Sequence, residues 1–315
     1  MEARVLAFSV QDLLGKAALQ GDRRGSTHPR IPAWRAVSHC RTSFQFGPGR
    51  HGAPKTASGE DCVPRATVDG AAIHYEIAGE GFPLVLLHGI GSNSRSWRRQ
   101  LAALSNEFKV IAWDAPGYGQ SSDPVGKPSM VFYADRLRGF LDGLGLTRLF
   151  LLGHSTGAMI AQEFYRAHAS YVRALILADT KYLGSGSNLE ERLRMIRTMT
   201  PAQLAAGRAP KLFTASAPEA VVREGISIMS EVRPLGYEFA ARALAEADTR
   251  SVLGDLRVPT LLIWGAEDEI TPLWDEVPAG ARLEVIPNAG HLCYAEQPER
   301  FNTVVRDFLL QLNAG

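Results

Sequence analysis

Short apolar segments alternate with helical patterns over most of this chain of 315 residues. Continuous apolar segments of four or five residues are typical of strands in a parallel sheet that is covered on both faces. The stretches between them carry apolar residues at helical spacing, as at 97–104, 132–144 and 158–167. This alternation predicts an α/β fold with a mostly parallel sheet and helices on both faces. The predicted strands lie at 84–87, 110–113, 149–152, 174–177, 260–264 and 283–286.

Two regions depart from this alternation. Residues 66–77 predict two short strands around Asp69-Gly70, a residue pair that strongly favours a hairpin. Residues 179–259 carry helical patterns and no convincing strand. We therefore expect a helical cap over the carboxyl ends of the strands, where open α/β sheets bind their ligands. The expected bounds are 182–250 for this cap, and 66–181 and 251–315 for the α/β core.

The first 65 residues differ in composition from the rest of the chain. They hold ten Lys and Arg against five Asp and Glu, and they are rich in Ser, Gly and Pro. After about Leu19 they show neither helical nor strand periodicity, so we expect residues 1–65 to form a disordered extension. Translation from an upstream start codon and an Arg-rich transit peptide are the alternative origins of this segment.

Charge and cysteine content exclude several classes of protein. The formal charge is +1, whereas a dedicated nucleic-acid binder presents a strongly basic face. No apolar run approaches the roughly 18–20 residues that span a bilayer. Three scattered cysteines are too few for a disulfide scaffold or a zinc site and suit a reducing compartment. We expect a cytoplasmic protein without nucleic-acid or membrane partners, and the sequence leaves a homo-oligomer open.

The strongest chemical motif is Gly153-His154-Ser155-Thr156-Gly157, which follows a predicted strand and precedes a helical stretch. A G-x-S-x-G pattern in this setting is the signature of a nucleophile elbow. The glycines remove Cβ atoms that would collide in a tight turn, and the turn raises the serine hydroxyl above the sheet edge. The motif therefore predicts Ser155 as a nucleophile.

A serine hydroxyl needs a base to accept its proton. The chain has eight histidines, and His291 is favoured because it directly follows the last predicted strand. His88 and His154 lie beside turns of the site and are expected to support those turns. We therefore predict His291 as the base.

The third member of such a site is an acid that orients the imidazole. Asp268 follows the predicted strand at 260–264 and precedes His291. The order Ser155, Asp268, His291 is the one found in α/β-hydrolases. Asp179, after the preceding strand, is the main rival, and Glu267 and Glu269 flank the favoured residue.

Two backbone N–H groups are candidates for an oxyanion hole, which stabilises the charge that develops on the substrate oxygen. One is the N–H of Thr156, directly after the nucleophile. The second is the N–H of Ile90 in the turn His88-Gly89-Ile90-Gly91-Ser92, whose glycines let the backbone approach the site. An ordinary strand–helix turn is the alternative for that motif.

These motifs together resemble the α/β-hydrolase superfamily over roughly residues 66–313. Its signature also includes Gly290-His291 and the segment 114–121, in which the family's aspartate usually ties a loop, so we do not count Asp114 as catalytic. The nearest resemblance is to 3-oxoadipate enol-lactonases and small-ester hydrolases. Two departures favour a generic esterase: those lactonases tend to have Ser-Met-Gly at the nucleophile, and many lack His88-Gly89. The segments that carry this resemblance are 157–163, 172–180, 200–204 and 236–248.

The resemblance implies a serine hydrolase that cleaves a small carboxylic ester or lactone through an acyl-enzyme, without a metal or organic cofactor. A small-molecule ester or lactone is thus the expected partner, and carboxylesterase and lactonase are the expected activities. Three alternatives stay open: a carbon–carbon bond hydrolase of ring-cleavage products, a cofactor-free perhydrolase or haloperoxidase, and a non-catalytic ligand receptor on the same fold.

Several side chains are candidates for contact with the substrate. Trp97 could equally anchor the first helix, and Met is a common core filler, so packing is the alternative for each apolar candidate. The cap holds nine Lys and Arg against eight Asp and Glu, which is too balanced to indicate an anionic substrate. The candidates are Trp97, His154, Met195 and Met199, with Phe213, Ile226 and Met229 as further apolar residues of the cap.

Overall fold

The computed structural model describes residues 64–184, 188–274 and 277–313. The extension predicted for residues 1–65 lies almost entirely outside the described residues. Within them, eight strands form one sheet in the order β1-β2-β4-β3-β5-β6-β7-β8. The strands are β1 Arg65–Val68, β2 Ala71–Ala78, β3 Phe82–Leu87, β4 Phe108–Trp113, β5 Leu149–His154, β6 Val172–Ala178, β7 Thr260–Gly265 and β8 Ala281–Ile286.

The sheet is antiparallel at one edge and parallel elsewhere. β1 and β2 form the predicted hairpin, with Asp69 at φ 48° and Gly70 at φ 80° in its turn. β2 is antiparallel to β4, and the remaining pairs from β4–β3 to β7–β8 are parallel. All six strands predicted from apolar segments are present. The predicted α/β fold with a mostly parallel sheet is therefore confirmed.

Helices cover both faces of this sheet. In the described part of the chain they are α1 Arg98–Leu104, α2 Met130–Gly143, α3 Thr156–His168, α4 Leu189–Thr198, α5 Pro201–Arg208, α6 Glu219–Met229, α7 Pro234–Ala245, α8 Arg250–Gly254, α9 Cys293–Glu296 and α10 Pro298–Asn313. None of these described helices combines the length and apolarity that a membrane span requires.

Alternate strand residues bury two apolar layers, one on each face of the sheet. In β3, Val85 and Leu87 belong to one layer, and Leu84 and Leu86 belong to the other. Side chains of α2 and α3 complete the first layer, and side chains of α1 and α10 complete the second. Burial on both faces is the physical reason why these strands are continuous apolar segments rather than alternating ones.

Five of the described helices, α4 to α8, lie between β6 and β7, where the sequence predicts an inserted cap. Helices between β6 and β7 are what the sequence predicts, and α5 shows how one of them begins. Two sequence signals mark its start. Thr200 and Gln203 form a capping box, in which the Gln203 N–H donates to Thr200 Oγ1 over 3.2 Å and the Thr200 N–H donates to Gln203 Oε1 over 2.9 Å. Pro201 stands at the first helical position, where its missing N–H has no consequence.

Candidate active site

The serine of the predicted elbow lies between the end of β5 and the start of α3. Its backbone has φ 53° and ψ −119°, a combination that is rare for a residue with a side chain and marks a strained turn. Close packing requires both flanking glycines. A Cβ on Gly153 would overlap the backbone of Gly157, and a Cβ on Gly157 would overlap the carbonyl of Leu87. The turn therefore holds Ser155 at the end of β5 in one fixed orientation.

Two side chains from later in the chain complete the site, with His291 in contact with Ser155 and Asp268 in contact with His291. His291 lies in the loop between β8 and α9, and its Nε2 is 3.0 Å from the Ser155 Oγ. Its Nδ1 is 2.9 Å from Oδ2 of Asp268, which lies in the turn after β7. His291 is only 5% exposed, so the contacts are shielded from bulk water. The structure thus brings together the three side chains that the sequence predicts as nucleophile, base and acid.

The Asp268 carboxylate is held by its own turn. Its Oδ1 accepts the N–H groups of Ile270 and Thr271 over 2.8 and 3.1 Å, and the Thr271 hydroxyl donates to Oδ2. Burial alone would raise the pKa of Asp268, but the hydrogen bonds from His291 and Thr271 outweigh it and lower that pKa. The carboxylate is therefore ionised at neutral pH and positioned to stabilise a protonated His291.

Asp179, the rival acid, occupies a different place. It follows β6 with φ 43° and is fully buried. Its Oδ1 accepts the N–H of Gly265 over 2.7 Å, and its Oδ2 lies 2.8 Å from the Cys293 thiol. Burial raises the pKa of Asp179 well above its ordinary value. Asp179 thus joins the ends of β6 and β7, and the His291 ring donates its hydrogen bond to Asp268 instead.

His154, the residue before the nucleophile, supports the base. Its Nε2 lies 2.7 Å from the backbone carbonyl oxygen of His291, so this nitrogen carries the proton and donates. Burial lowers the pKa of His154 to about 3, which keeps the ring neutral at physiological pH. A neutral His154 therefore fixes the main chain of the residue that contacts Ser155.

The turn after β3 lies directly against the nucleophile, because a Cβ on Gly89 would be only 3.1 Å from the Ser155 Cβ. His88 determines how this turn is oriented. Its Nε2 accepts the N–H of Ala115 over 3.0 Å, so its Nδ1 carries the proton and donates to the Gly89 carbonyl over 2.9 Å. In a trans peptide the carbonyl and the next N–H point in opposite directions. The N–H of Ile90 is therefore directed away from His88.

Both predicted oxyanion donors lie beside Ser155. Ile90 and Thr156 line the same cavity as the serine. Thr156 is the first residue of α3, and N–H groups in the first turn of a helix have no intrahelical acceptor. Among the described residues, no acceptor takes the N–H of Ile90. The two N–H groups are thus free to bind an oxygen atom next to the nucleophile.

The chain also matches known proteins over this region. Residues 84–304, more than half of its length, match the model of the Alpha/beta hydrolase family. The chain belongs to this family. Relatives of this hydrolase include 3-oxoadipate enol-lactonase 2 of Acinetobacter baylyi, which is 27% identical over 259 residues that cover 78% of this chain and 96% of the relative.

Solved structures similar to this alpha/beta hydrolase include esterases and lactonases. An esterase from Thermogutta terrifontis has a TM-score of 0.74 and 29% identity, with 79% of this chain and 98% of that chain covered. The enol-lactonase from Burkholderia xenovorans LB400 has a TM-score of 0.72 and 28% identity, with 78% and 100% covered. These similarities agree with the superfamily that the sequence motifs indicate.

A cavity of about 300 Å³ opens above Ser155 in this hydrolase, between the sheet and the cap helices. Of the residues predicted to contact the substrate, His154 borders it, as do Phe213 and Met229 of the cap. Met159 and Ile228 also border the cavity and were missed by the sequence analysis. Among the described residues, no group of three or more His, Cys, Asp or Glu side chains is arranged to hold a metal ion.

Four of the candidate substrate contacts do not border this cavity: Trp97, Met195, Met199 and Ile226. Trp97 is fully buried in the core, where its ring stacks on that of Tyr294 with centroids 4.4 Å apart. Met195 packs against the apolar core between the helices. Met199 follows the last residue of α4 and is 39% exposed. The packing alternative therefore holds for Trp97 and Met195.

The sequence analysis also missed Glu296, which connects the cap to the loop of His291. Its Oε1 accepts the N–H of Gly290 over 2.8 Å. Its Oε2 accepts the N–H and the hydroxyl of Thr214, a cap residue, over 3.1 and 2.7 Å. In addition, the N–H of Leu292 donates to the carbonyl of Leu212. No local motif marks Glu296, because its partners are distant in sequence.

Proposed function

We propose that this protein is a serine hydrolase that cleaves a small carboxylic ester or lactone through an acyl-enzyme. The observation that supports it most directly is the continuous set of contacts from Ser155 Oγ through the His291 ring to Asp268, at 3.0 and 2.9 Å. A nucleophile, a base and an orienting acid in this arrangement are what acyl transfer requires.

In the first step, His291 Nε2 accepts the hydroxyl proton while Ser155 Oγ attacks the substrate carbonyl carbon. Asp268 stabilises the imidazolium that forms, and the N–H groups of Ile90 and Thr156 donate to the oxyanion. Loss of one such donor typically costs about 3–4 kcal/mol of transition-state stabilisation. The protonated His291 then donates its proton to the leaving alkoxide, and the acyl group stays on Ser155.

In the second step, His291 accepts a proton from water, and the hydroxide attacks the acyl carbon. The same two N–H groups bind the second oxyanion. When this intermediate collapses, the bond from Ser155 Oγ to the acyl carbon breaks, the protonated His291 returns its proton to Oγ, and the acid is released. The bond that is cleaved is proposed to be an ester because the named relatives include esterases and enol-lactonases. A cavity of about 300 Å³ is at the small end of ligand pockets and favours a small substrate.

Hydrolysis of p-nitrophenyl butyrate tests the proposal. Ser155→Ala is expected to lower kcat by at least about 10⁴-fold, as loss of a serine nucleophile does elsewhere. Ser105→Ala is the matched control, since Ser105 lies at the end of α1 and its hydroxyl, among the described residues, donates a hydrogen bond only to the carbonyl of Ala102. A mass increase on Ser155 after treatment with a fluorophosphonate would support the nucleophile independently.

Retained hydrolysis in Ser155→Ala would overturn the mechanism. Turnover of three compounds shows which bond is cleaved: a simple ester, an enol-lactone and a vinylogous diketone from ring cleavage. Turnover of the diketone alone would replace the ester proposal by carbon–carbon bond hydrolysis. Binding of these compounds without any turnover would indicate a receptor.

A further inference from the structure

Two arginines of the cap border the cavity that contains Ser155. Arg192 belongs to α4, and Arg208 is the last residue of α5. Both positions are only partly accessible to solvent. The cap as a whole has nearly equal numbers of basic and acidic residues. The position of these two arginines at the cavity is therefore more informative than the net charge of the cap.

Neither arginine has a carboxylate partner within ion-pair distance among the described residues. Neighbouring arginines do: Arg99, which also borders the cavity, is 2.7 Å from Glu224, and Arg197 of the same helix is 2.9 Å from Glu238. The exposed Glu191 acts on Arg208 only at longer range. The cavity wall therefore carries cations that the described part of the protein does not neutralise.

Two buried polar atoms, one on Arg192 and one near Arg208, also lack a hydrogen-bond partner among the described residues. Nη1 of Arg192 is buried and forms no hydrogen bond within the described structure. The hydroxyl of Tyr237, which interacts electrostatically with Arg208, is also buried and has no hydrogen-bond partner in the part of the chain that the structure describes. Burial lowers the pKa of Arg208. Buried charged and polar groups without partners are costly to folding, and proteins keep them where a ligand supplies the missing partner.

We infer that the substrate carries a free carboxylate, separate from the bond that is cleaved, and that Arg192 and Arg208 bind it. The inference rests on the proposed ester hydrolysis and specifies its substrate class. Guanidinium groups match carboxylates because their N–H donors lie in one plane and form two parallel hydrogen bonds. The rest of the cavity accepts the carbon skeleton through apolar residues, among them Met159, Ile228 and Met229.

A pair of substrates with the same acyl chain and the same leaving group tests this inference. One is mono-p-nitrophenyl glutarate, which has a free carboxylate, and the other is its neutral methyl ester. For the wild-type protein, kcat/KM is expected to be higher for the charged substrate by roughly ten- to a hundred-fold, the range of a charge-assisted hydrogen bond. In the double variant Arg192→Gln/Arg208→Gln this ratio is expected to fall to about one, mainly through KM.

Two further variants keep the test decisive. Arg197→Gln, on the same helix and paired with Glu238, is the control that should leave the ratio unchanged. If the double variant does not fold, as judged by its thermal melting, Arg208→Lys takes its place. That variant keeps the charge but loses the planar pair of donors, so the ratio is expected to fall only partly.

The outcomes separate this inference from the function on which it rests. Equal kcat/KM values for the two substrates in the wild-type protein, or equal losses on both in the arginine variants, would overturn the carboxylate site while Ser155-dependent hydrolysis stands. Absence of hydrolysis of either substrate, or hydrolysis that persists in Ser155→Ala, would overturn the proposed function itself.

Discussion

His154 donates a hydrogen bond from its Nε2 to the backbone carbonyl of His291 over 2.7 Å. The residue that precedes the proposed nucleophile thus fixes the main chain of the proposed base. Because burial lowers the pKa of His154 to about 3, the ring stays neutral, and Nε2 keeps the proton that this bond requires. His154 therefore positions the main chain of His291, and protonation of its ring is expected to destabilise the folded protein.

The first prediction concerns the dependence of stability on pH. Between pH 6.5, the ordinary pKa of histidine, and about 3, the unfolded chain binds one more proton at position 154 than the folded protein does. The contribution of His154 to the free energy of unfolding is therefore fully present above pH 6.5. It decreases by about 1.4 kcal/mol for each pH unit below that value. Urea denaturation from pH 7.5 to 4.5 measures the slope.

His154→Gln supplies the comparison for this slope, since its amide can donate to the His291 carbonyl without titrating. The free energy of unfolding of the variant is expected to fall less steeply below pH 6.5 than that of the wild-type protein. Parallel curves for the two proteins would show that His154 titrates as it does in the unfolded chain.

The second prediction concerns His88, a positioning residue that does not touch the substrate. His88→Ala removes the hydrogen bond to the Gly89 carbonyl, so the Gly89–Ile90 peptide can rotate and withdraw the Ile90 N–H from the oxyanion. We expect kcat to fall by roughly ten- to a hundred-fold, less than the loss of a whole oxyanion donor, with KM little changed. Steady-state kinetics with p-nitrophenyl butyrate measure both constants.

Binding of a boronic acid, which mimics the tetrahedral intermediate, distinguishes a positioning role of His88 from a merely structural one. If His88 positions the Ile90 N–H, affinity for the boronic acid is expected to fall in parallel with kcat. If the variant binds the boronic acid as tightly as the wild-type protein and loses only thermal stability, the His88 side chain does not position the Ile90 N–H.

The local parts of this site were predictable from sequence, because local packing imposes them. The elbow needs glycine at 153 and 157, since any Cβ there would overlap the main chain. The base and the acid were predictable from their positions after strands, because the carboxyl ends of parallel strands meet at one edge of the sheet. The contacts of His291 with Ser155 and Asp268 follow from that arrangement.

The residues that surround the substrate were not predictable in this way. Whether an apolar side chain packs or lines a cavity depends on partners that are distant in sequence. Trp97 is an example, since its ring stacks on Tyr294 of a segment near the end of the chain. For the charged residues, the sequence gives no sign of which arginines of the cap find a carboxylate and which, like Arg192, do not.

The third prediction separates the two acid candidates. Asp268→Asn is expected to lower kcat by about 10⁴-fold, because the amide cannot hold His291 in the required tautomer. Asp179→Asn is expected to change kcat by less than about three-fold, because Asp179 contacts Gly265 and Cys293 while the His291 ring contacts Asp268, and the replacement keeps an acceptor for Gly265. Kinetics of the two variants side by side measure the difference. A severe loss in Asp179→Asn with a mild one in Asp268→Asn would reverse the assignment.

The last prediction tests whether the cap holds the His291 loop. In Glu296→Gln one end of the side chain becomes an amide that cannot accept an N–H, so either Gly290 or Thr214 loses its acceptor. We expect unfolding to become easier by about 1–3 kcal/mol, the cost of a buried unsatisfied group, together with a lower kcat. Glu299→Gln is the matched control, because Glu299 lies exposed in the first turn of α10. If Glu296→Gln has the same free energy of unfolding and the same kcat as Glu299→Gln, the hydrogen bonds of Glu296 do not position the loop.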